Sequence, residues 1–486
     1  MLPLVDELVK ALESERVSYC HWKSNASLLQ AAAGEEDLDL LVGHRSRQAF
    51  LEVLARLGFK EAVPAKGLPR IPGISSYFGY DEKAGRMVHI HAHDKLVLGH
   101  DLTKNYHLPI EDAYLASSVT AAPFRVPAPE LEFAVFIVRM TLKYSNWSAI
   151  LAGRPPLSAR ERRELEIFLE DMTGERAGQS VAAFLPSLGP ALLDLGLRAL
   201  LPRASVRSRA RAGRRMHAAL RGCRIRPRIQ DIWLQCWRRI AWPAKSRLLK
   251  KVPRKTLKNG GLLVGFIGGD GAGKTTVIEG AAAWISPCFS TAKVHLGKPR
   301  WSVSTVLVRG LLKIGRSLRL WSFTNVPLDV LDDEHPIEFP GYPPLIRAVC
   351  TARDRWRTFV KARRLADKGR LVICDRFPLP GLIRMDGPRV GWMTRASKTN
   401  RFIRALARIE ERCYRSISPP DLLIVLRVDP ETAVERKSED NAESVRVRTS
   451  EIWKKDWAGS GAQVIDAGQS QDEVLQKTKA LIWAHL

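Results

Sequence analysis

Gly268, Gly273, Lys274 and Thr275 stand at the spacing G-x-x-x-x-G-K-[ST] within LLVGFIGGDGAGKTT, residues 262–276. Each residue type there has a mechanical task around a nucleoside triphosphate. The glycines let the backbone curl so that successive N–H groups converge on phosphate oxygens. A helix starting near Lys274 adds the positive end of its dipole. The Lys274 ammonium can reach the β- and γ-phosphates, and the Thr275 hydroxyl is placed to ligate Mg²⁺. The expected ATP-binding set is therefore Gly268, Gly269, Asp270, Gly271, Ala272, Gly273, Lys274, Thr275 and Thr276.

Four further groupings could do chemistry. GRLVICDRF delivers Asp375 and Arg376 at the end of an apolar run. There a carboxylate can hold Mg²⁺ and its waters, and a guanidinium can fork onto a second phosphate. A polar stretch further on carries Arg436, Lys437, Arg446 and Arg448. Near the N-terminus, Asp37 and Asp39 alternate with Leu38 and Leu40, so both carboxylates face one side of a strand and could hold Mg²⁺ and a triphosphate. His89, His91 and His93 alternate in RMVHIHAHD, as a comb for metal or phosphate or as polar pairing on a strand face.

Elements of definite kinds must position these residues. Leu262, Leu263, Val264, Phe266 and Ile267 form a near-continuous apolar run, the pattern of a parallel strand covered on both faces. TTVIEGAAAWI reads as the following helix, with Val277, Ala281, Trp284 and Ile285 on one side. Leu371–Cys374 and Leu422–Val428 give two more strands, a helix starts near Asp429-Pro430, and QVIDAGQS leads to the last helix. Such alternation predicts an α/β domain over 261–486 with a doubly wound parallel sheet, whose ligand crevice lies off the carboxyl ends of the strands. Asp375 should then sit beside the glycine-rich loop.

Upstream, 1–115 mixes strand-like and helical stretches, 116–200 is mostly helix-like, and 201–260 is a basic connector broken by Pro227, Pro243 and Pro253. The formal net charge is +26, and between Arg198 and Lys258 there are 20 Lys and Arg against one acid, Asp231. Within that connector, Ile229, Trp233, Cys236, Trp237 and Ile240 recur at helical spacing, with Arg238 and Arg239 off the stripe. A cationic, tryptophan-bearing stripe over 229–258 suits an anionic membrane surface, or it packs on a flanking domain. No recognised nucleic-acid module accompanies the charge. Seven scattered cysteines without a C-x-x-C pair suit a reducing compartment better than a disulfide framework or a zinc site. The acidic, amphipathic start and the lack of a long apolar run predict a cytoplasmic chain, at most peripheral to the inner face of the membrane.

GGDGAGKTT, the ICDRF strand end, PDLLIVLRVDPETAVER and VIDAGQSQDEV resemble, in that order, the successive motifs of thymidylate kinase. The resemblance covers about 261–486. It implies a P-loop kinase with ATP and Mg²⁺ as cofactors, transferring the γ-phosphate to a nucleoside monophosphate. It places Lys274, Asp375 and Arg376 in catalysis, Thr275 and Asp375 on the metal, and Asp270 and Arg376 on the acceptor. Because Gly271 stands where some members carry a loop arginine, Arg436, Arg446 or Arg448 of a lid is expected to meet the transition-state charge. Nucleotide substrates are the implied partners, and a homodimer is compatible with the family. Two departures bear on the acceptor: VHLGKPR (294–300) replaces the usual Arg-Glu-Pro-like turn, and PLPGLIRMDGP, with its prolines, replaces a serine-bearing helix. A long insertion over about 300–350 lies where the base-binding wall would be. The rivals are a kinase for a sugar-like or phosphorylated acceptor in surface-polysaccharide metabolism, and a non-catalytic ATP-binding scaffold at the membrane.

CHWKSNASLLQAAAGEEDLDLLVG is similar to the start of the nucleotidyltransferase fold, a Gly-Ser turn followed by D-x-D. Lys23 stands where that family has glycine, and His89 stands where its third carboxylate is expected. An α+β scaffold without transferase activity is the expectation for 1–115.

Overall fold

The computed structural model describes residues 1–65, 70–145, 150, 153, 155–249, 254–318, 339–379, 381–382, 386–395, 400–437 and 441–486, with backbone alone for 242–249. The chain forms two compact units, Met1–Pro253 and Arg254–Leu486, both mixing helices and strands.

In the N-terminal unit, Leu38–Val42 lies between two neighbours: Tyr19–His21 antiparallel and Arg86–His93 parallel. Ile74–Asp81 and then Lys60–Val63 extend the sheet antiparallel from there. Helix Pro3–Ser14 buries Leu4, Val5, Leu8 and Leu12 in a core with Leu38, Leu40, Val88 and Ile90. That alternation leaves Asp39 on the opposite side, level with His91.

A second core joins what the sequence separates into regions. Helix Pro129–Tyr144 is buried all round from Leu131 to Leu142, so it acts as a hub. Its cluster runs from Cys20 and Trp22 through Phe133 and Phe136 to Leu193, Met216 and Leu220. Residues from 1–115, 116–200 and 201–260 thus share one interior. Helix Arg228–Leu249 continues past Pro243, where the composition predicts a break. A proline forfeits one backbone hydrogen bond and can bend a helix without ending it.

The C-terminal unit holds five parallel strands, ordered Thr291–His295, Leu371–Asp375, Leu262–Gly268, Leu422–Arg427 and Gln463–Asp466. Leu263, Ile267, Val372, Cys374 and Val425 pack with Phe359, Ala362 and Ala366 of helix Tyr342–Ala366. Their alternate neighbours Val264, Phe266, Ile373 and Ile424 are equally buried, so both faces of the sheet are covered. Each such side chain contributes about 1.5–3 kcal/mol of burial, which fixes the central strands firmly. The chain leaves the central strand for one side first and returns later to the other. The crevice expected at such a switch lies at the carboxyl ends of Leu262–Gly268, Leu371–Asp375 and Leu422–Arg427.

The insertion contributes helix Val303–Ser317 and the start of helix Tyr342–Ala366, while 319–338 lies outside the described residues. Among the described residues between Arg376 and Arg389 there is no helix, in keeping with Pro378 and Pro388; 380 and 383–385 lie outside the description.

Candidate functional site

The glycine-rich loop joins Leu262–Gly268 to helix Lys274–Ile285. Gly271 and Gly273 take φ of +82° and +74°, a region where side chains are strained. A Cβ on Gly271 would also lie 2.6 Å from the Ala433 carbonyl oxygen. No side chain at 271 fits against helix Pro430–Glu435. Gly271→Ala is accordingly expected to destabilise the C-terminal unit by about 1–3 kcal/mol. A urea titration read from this unit checks it, and an unchanged midpoint would contradict the close packing.

Lys274 is buried, and its ammonium donates to the carbonyls of Gly268 (2.8 Å) and Gly269 (2.6 Å). Burial, and next the Arg376 guanidinium, lower its pKa to about 8. Asp270 accepts from Arg376 Nη2 and Arg448 Nη1, each at 3.1 Å. Burial alone would raise the Asp270 carboxyl, but Lys274, Arg376 and Arg448 outweigh it and hold the group below its ordinary value.

Asp375 ends its strand level with Phe266 on one neighbour and His295 on the other. One carboxylate oxygen, Oδ1, is buried without a hydrogen-bond partner, while Oδ2 lies 3.7 Å from His295 Nε2. Arg376, immediately after, has φ +52°, a strained setting that turns its side chain toward the loop. A cleft of about 940 Å³ gathers Lys274, Thr275, Thr276, Asp375, Arg376 and Arg436. Arg436 caps helix Pro430–Glu435 and donates to the Ala467 carbonyl at 2.8 Å, tying the cleft wall to the last strand's exit.

Of the three expected lid arginines, the structure brings Arg436 to the cleft and Arg448 to Asp270, but not Arg446. Arg446 forks onto Glu431 (2.7 and 2.9 Å) and also meets Glu443 at 3.0 Å on an exposed surface. Helix Ala442–Lys454 explains the split, because residues two apart point to different sides of a helix.

Sequence reasoning missed a buried group on the other side of Arg376. Arg355, from the long helix, donates to the carbonyls of Leu296 (2.7 Å), Gly297 (3.1 Å) and Asp386 (2.6 Å) and pairs with the Asp386 carboxylate at 2.9 Å. Tyr414 donates to the Asp386 and Gly387 carbonyls. Gly297 permits the crowding: a Cβ there would lie 2.7 Å from Arg376 Cδ and 3.0 Å from Asp386 Oδ2. Arg355 thus braces the loop on which Arg376 leans, although nothing in the local sequence marks it.

In the N-terminal unit, Asp37 pairs with His89 Nδ1 at 2.6 Å and with His91 Nδ1 at 3.6 Å. Asp39 lies 2.9 Å from Lys23 Nζ, 3.5 Å from His91 and 3.4 Å from His93 Nε2. Burial works against the Asp39 charge, but Lys23 and the imidazoles hold its carboxyl well below the usual range. Burial pushes His93 down to about 4. Lys23, Asp37, Asp39, Lys104, Arg139 and Lys143 line a polar cleft of about 520 Å³. Asp94, just past the histidine-bearing strand, pairs with Arg47.

No family model matches the chain. Over 225 residues, 45% of its length, the chain is 25% identical to the uncharacterized ATP-binding protein YghR of Escherichia coli K12, of which the match covers 86%. It is 26% identical over 238 residues, 46% of this chain, to the uncharacterized ATP-binding protein YghS of the same organism, of which 93% is covered.

Proposed function

We propose that the C-terminal unit binds ATP and transfers its γ-phosphate in the manner of the thymidylate kinases, to a nucleoside monophosphate or a related acceptor. The observation that carries this is the convergence of Lys274, Thr275, Asp375, Arg376 and Arg436 on one cleft. The names of the two Escherichia coli relatives support the ATP half of the reading.

The loop N–H groups and Lys274 hold the triphosphate, with the lysine placed for the β- and γ-phosphates. Thr275 and Asp375 offer oxygen donors of the kind Mg²⁺ takes, and the buried, unpartnered Asp375 Oδ1 fits that duty. When bound, the ion neutralises charge on the phosphates. As the bond from the γ-phosphorus to the β,γ-bridging oxygen breaks and an acceptor oxygen bonds to phosphorus, Arg376 and Arg436 meet the developing charge. Asp270, gripped by Arg376 and Arg448, faces the acceptor side, and the Arg355–Asp386 brace positions Arg376.

The acceptor side departs from thymidylate kinases, which keeps a sugar-like or phosphorylated acceptor in view. A coupled ADP-release assay over nucleoside monophosphates and sugar phosphates tests the class. Acceptor-dependent turnover supports the reading, and none above the ATP-only rate sinks it in favour of an ATP-binding scaffold.

A second reading concerns location. Along helix Arg228–Leu249, Ile229, Trp233, Trp237 and Ile240 are 84%, 63%, 58% and 70% exposed, and the two indoles stack at 6.0 Å. Arg239 reaches His100 Nε2 at 3.3 Å and Arg238 bonds the Leu102 carbonyl, so the helix is anchored by its other side. An outward tryptophan stripe in a strongly basic segment fits an anionic membrane surface. Residues 250–253 of the basic stretch, and the side chains of 242–249, lie outside the described residues. No helix among the described residues is long and apolar enough to cross a membrane. The full chain should sediment with phosphatidylserine vesicles, less so as salt rises, and at least tenfold less as the Trp233→Glu, Trp237→Glu double variant. Equal sedimentation of variant and wild type would remove the stripe as the contact.

A further inference from the structure

The N-terminal unit carries a side-chain cluster that the phosphotransfer reading leaves unused. We propose that Asp37, His89 and His91 form a binding site for one divalent transition-metal ion of the zinc class. One ligand atom from each residue already lies within 4.8 Å of the others. Ligands around a tetrahedral zinc at about 2.0–2.2 Å stand roughly 3.3–3.6 Å apart, so small side-chain shifts complete the triangle.

The fold makes this arrangement rather than leaving it to rotamers. His89 and His91 are two apart on one strand, so both imidazoles project from the same face. The parallel neighbour Leu38–Val42 begins one residue after Asp37, which puts its carboxylate over that face. Phe78, opposite His89 in the register, stacks on its ring with centroids 4.2 Å apart and planes 2° from parallel, fixing the ring's plane.

The donor set decides which ion. Two imidazole nitrogens and one carboxylate suit zinc, cobalt or nickel far better than magnesium, which prefers oxygen ligands. The paired-carboxylate alternative, Asp37 with Asp39, is compromised because the Lys23 ammonium sits 2.9 Å from Asp39. A magnesium ion between the two acids would have to displace that cation. Asp39 instead places a second negative charge 3.5 Å from the His91 imidazole, beside the proposed site. Three protein ligands leave a fourth position open, and Asp37 borders the polar cleft, in which Lys104 and Lys143 pair with Asp101 and Glu161.

The test is calorimetric titration of chelator-treated full-length protein with Zn²⁺, and separately with Mg²⁺, paired with visible absorption after Co²⁺ addition. We expect one Zn²⁺ site, tetrahedral cobalt bands, and at least tenfold weaker binding in both His91→Ala and Asp37→Asn. The seven cysteines, none in a disulfide, could also take zinc, so the difference between wild type and variants decides. Thermal melts in the absence of metal establish that the variants fold, and His89→Cys, which keeps a ligating atom, should retain the site. Zinc binding unchanged in His91→Ala, or saturable Mg²⁺ binding lost in Asp39→Asn but not in His91→Ala, would overturn the proposal.

Discussion

Lys274→Ala is expected to lower nucleotide turnover by roughly 10²–10³-fold or more, the largest single effect in the chain. The ammonium sits among the loop carbonyls of Gly268 and Gly269, buried, and already pressed toward its neutral form by burial and by Arg376. A bound triphosphate adds counter-charge to that of Asp270 and Asp375. Alanine removes the loop's own cation, to which the proposed function gives the β- and γ-phosphates, while Arg376 is engaged with Asp270. The backbone nest and the helix start remain, because Gly271 and Gly273 set them. ATP should therefore bind more weakly while the fold stays intact. Steady-state ADP release and a thermal melt, run together, check this; wild-type turnover in the variant would refute the cradle.

Asp375→Asn is expected to lower kcat by roughly 10²-fold while weakening ATP binding less than about tenfold. The substitution keeps shape and removes charge. Asp375 lines the same cleft as Thr275, and its Oδ1 is buried without a hydrogen-bond partner. The loss should thus fall on the charge-neutralising step rather than on nucleotide capture. Its signature is a shift of the Mg²⁺ dependence to higher concentration, measured as kcat against free Mg²⁺. A loss confined to KM, with no change in Mg²⁺ dependence, would move Asp375 out of that role.

Much of this site was legible along the chain because its parts sit at strand ends. The near-continuous apolar runs Leu262–Ile267 and Leu371–Cys374 predict buried parallel strands, and such strands deliver whatever follows them to one edge of the sheet. Asp375 and Arg376 therefore reach the loop across about 100 residues of intervening chain. Arg446 shows the limit of motif order without periodicity. It shares a basic stretch with Arg448, yet two residues on a helix turn it by about 200°, onto Glu431 and Glu443. That signal was present in the spacing.

Other parts leave no local mark. Arg355 lies in a helix with several exposed or half-buried arginines, and only the tertiary structure aims it at Asp386 and the Gly297 carbonyl. Asp386 sits in a proline- and glycine-bearing segment with no periodicity to read. In the N-terminal unit the D-x-D spacing gives the facing carboxylates. The Lys23–Asp39 pair depends on the packing of Tyr19–His21 beside Leu38–Val42, which composition does not disclose. The shared core around Pro129–Tyr144 was hidden for the same reason: a helix apolar all round declares burial, but not what surrounds it.

Phosphorus NMR of the full chain with ATP, Mg²⁺ and one acceptor at a time tests the phosphotransfer claim most directly. The account predicts loss of the γ-phosphate signal matched by a new phosphoryl resonance on an acceptor, abolished in Lys274→Ala. Conversion of ATP to ADP and inorganic phosphate alone, with no acceptor modified across nucleoside monophosphates and sugar phosphates, would contradict it.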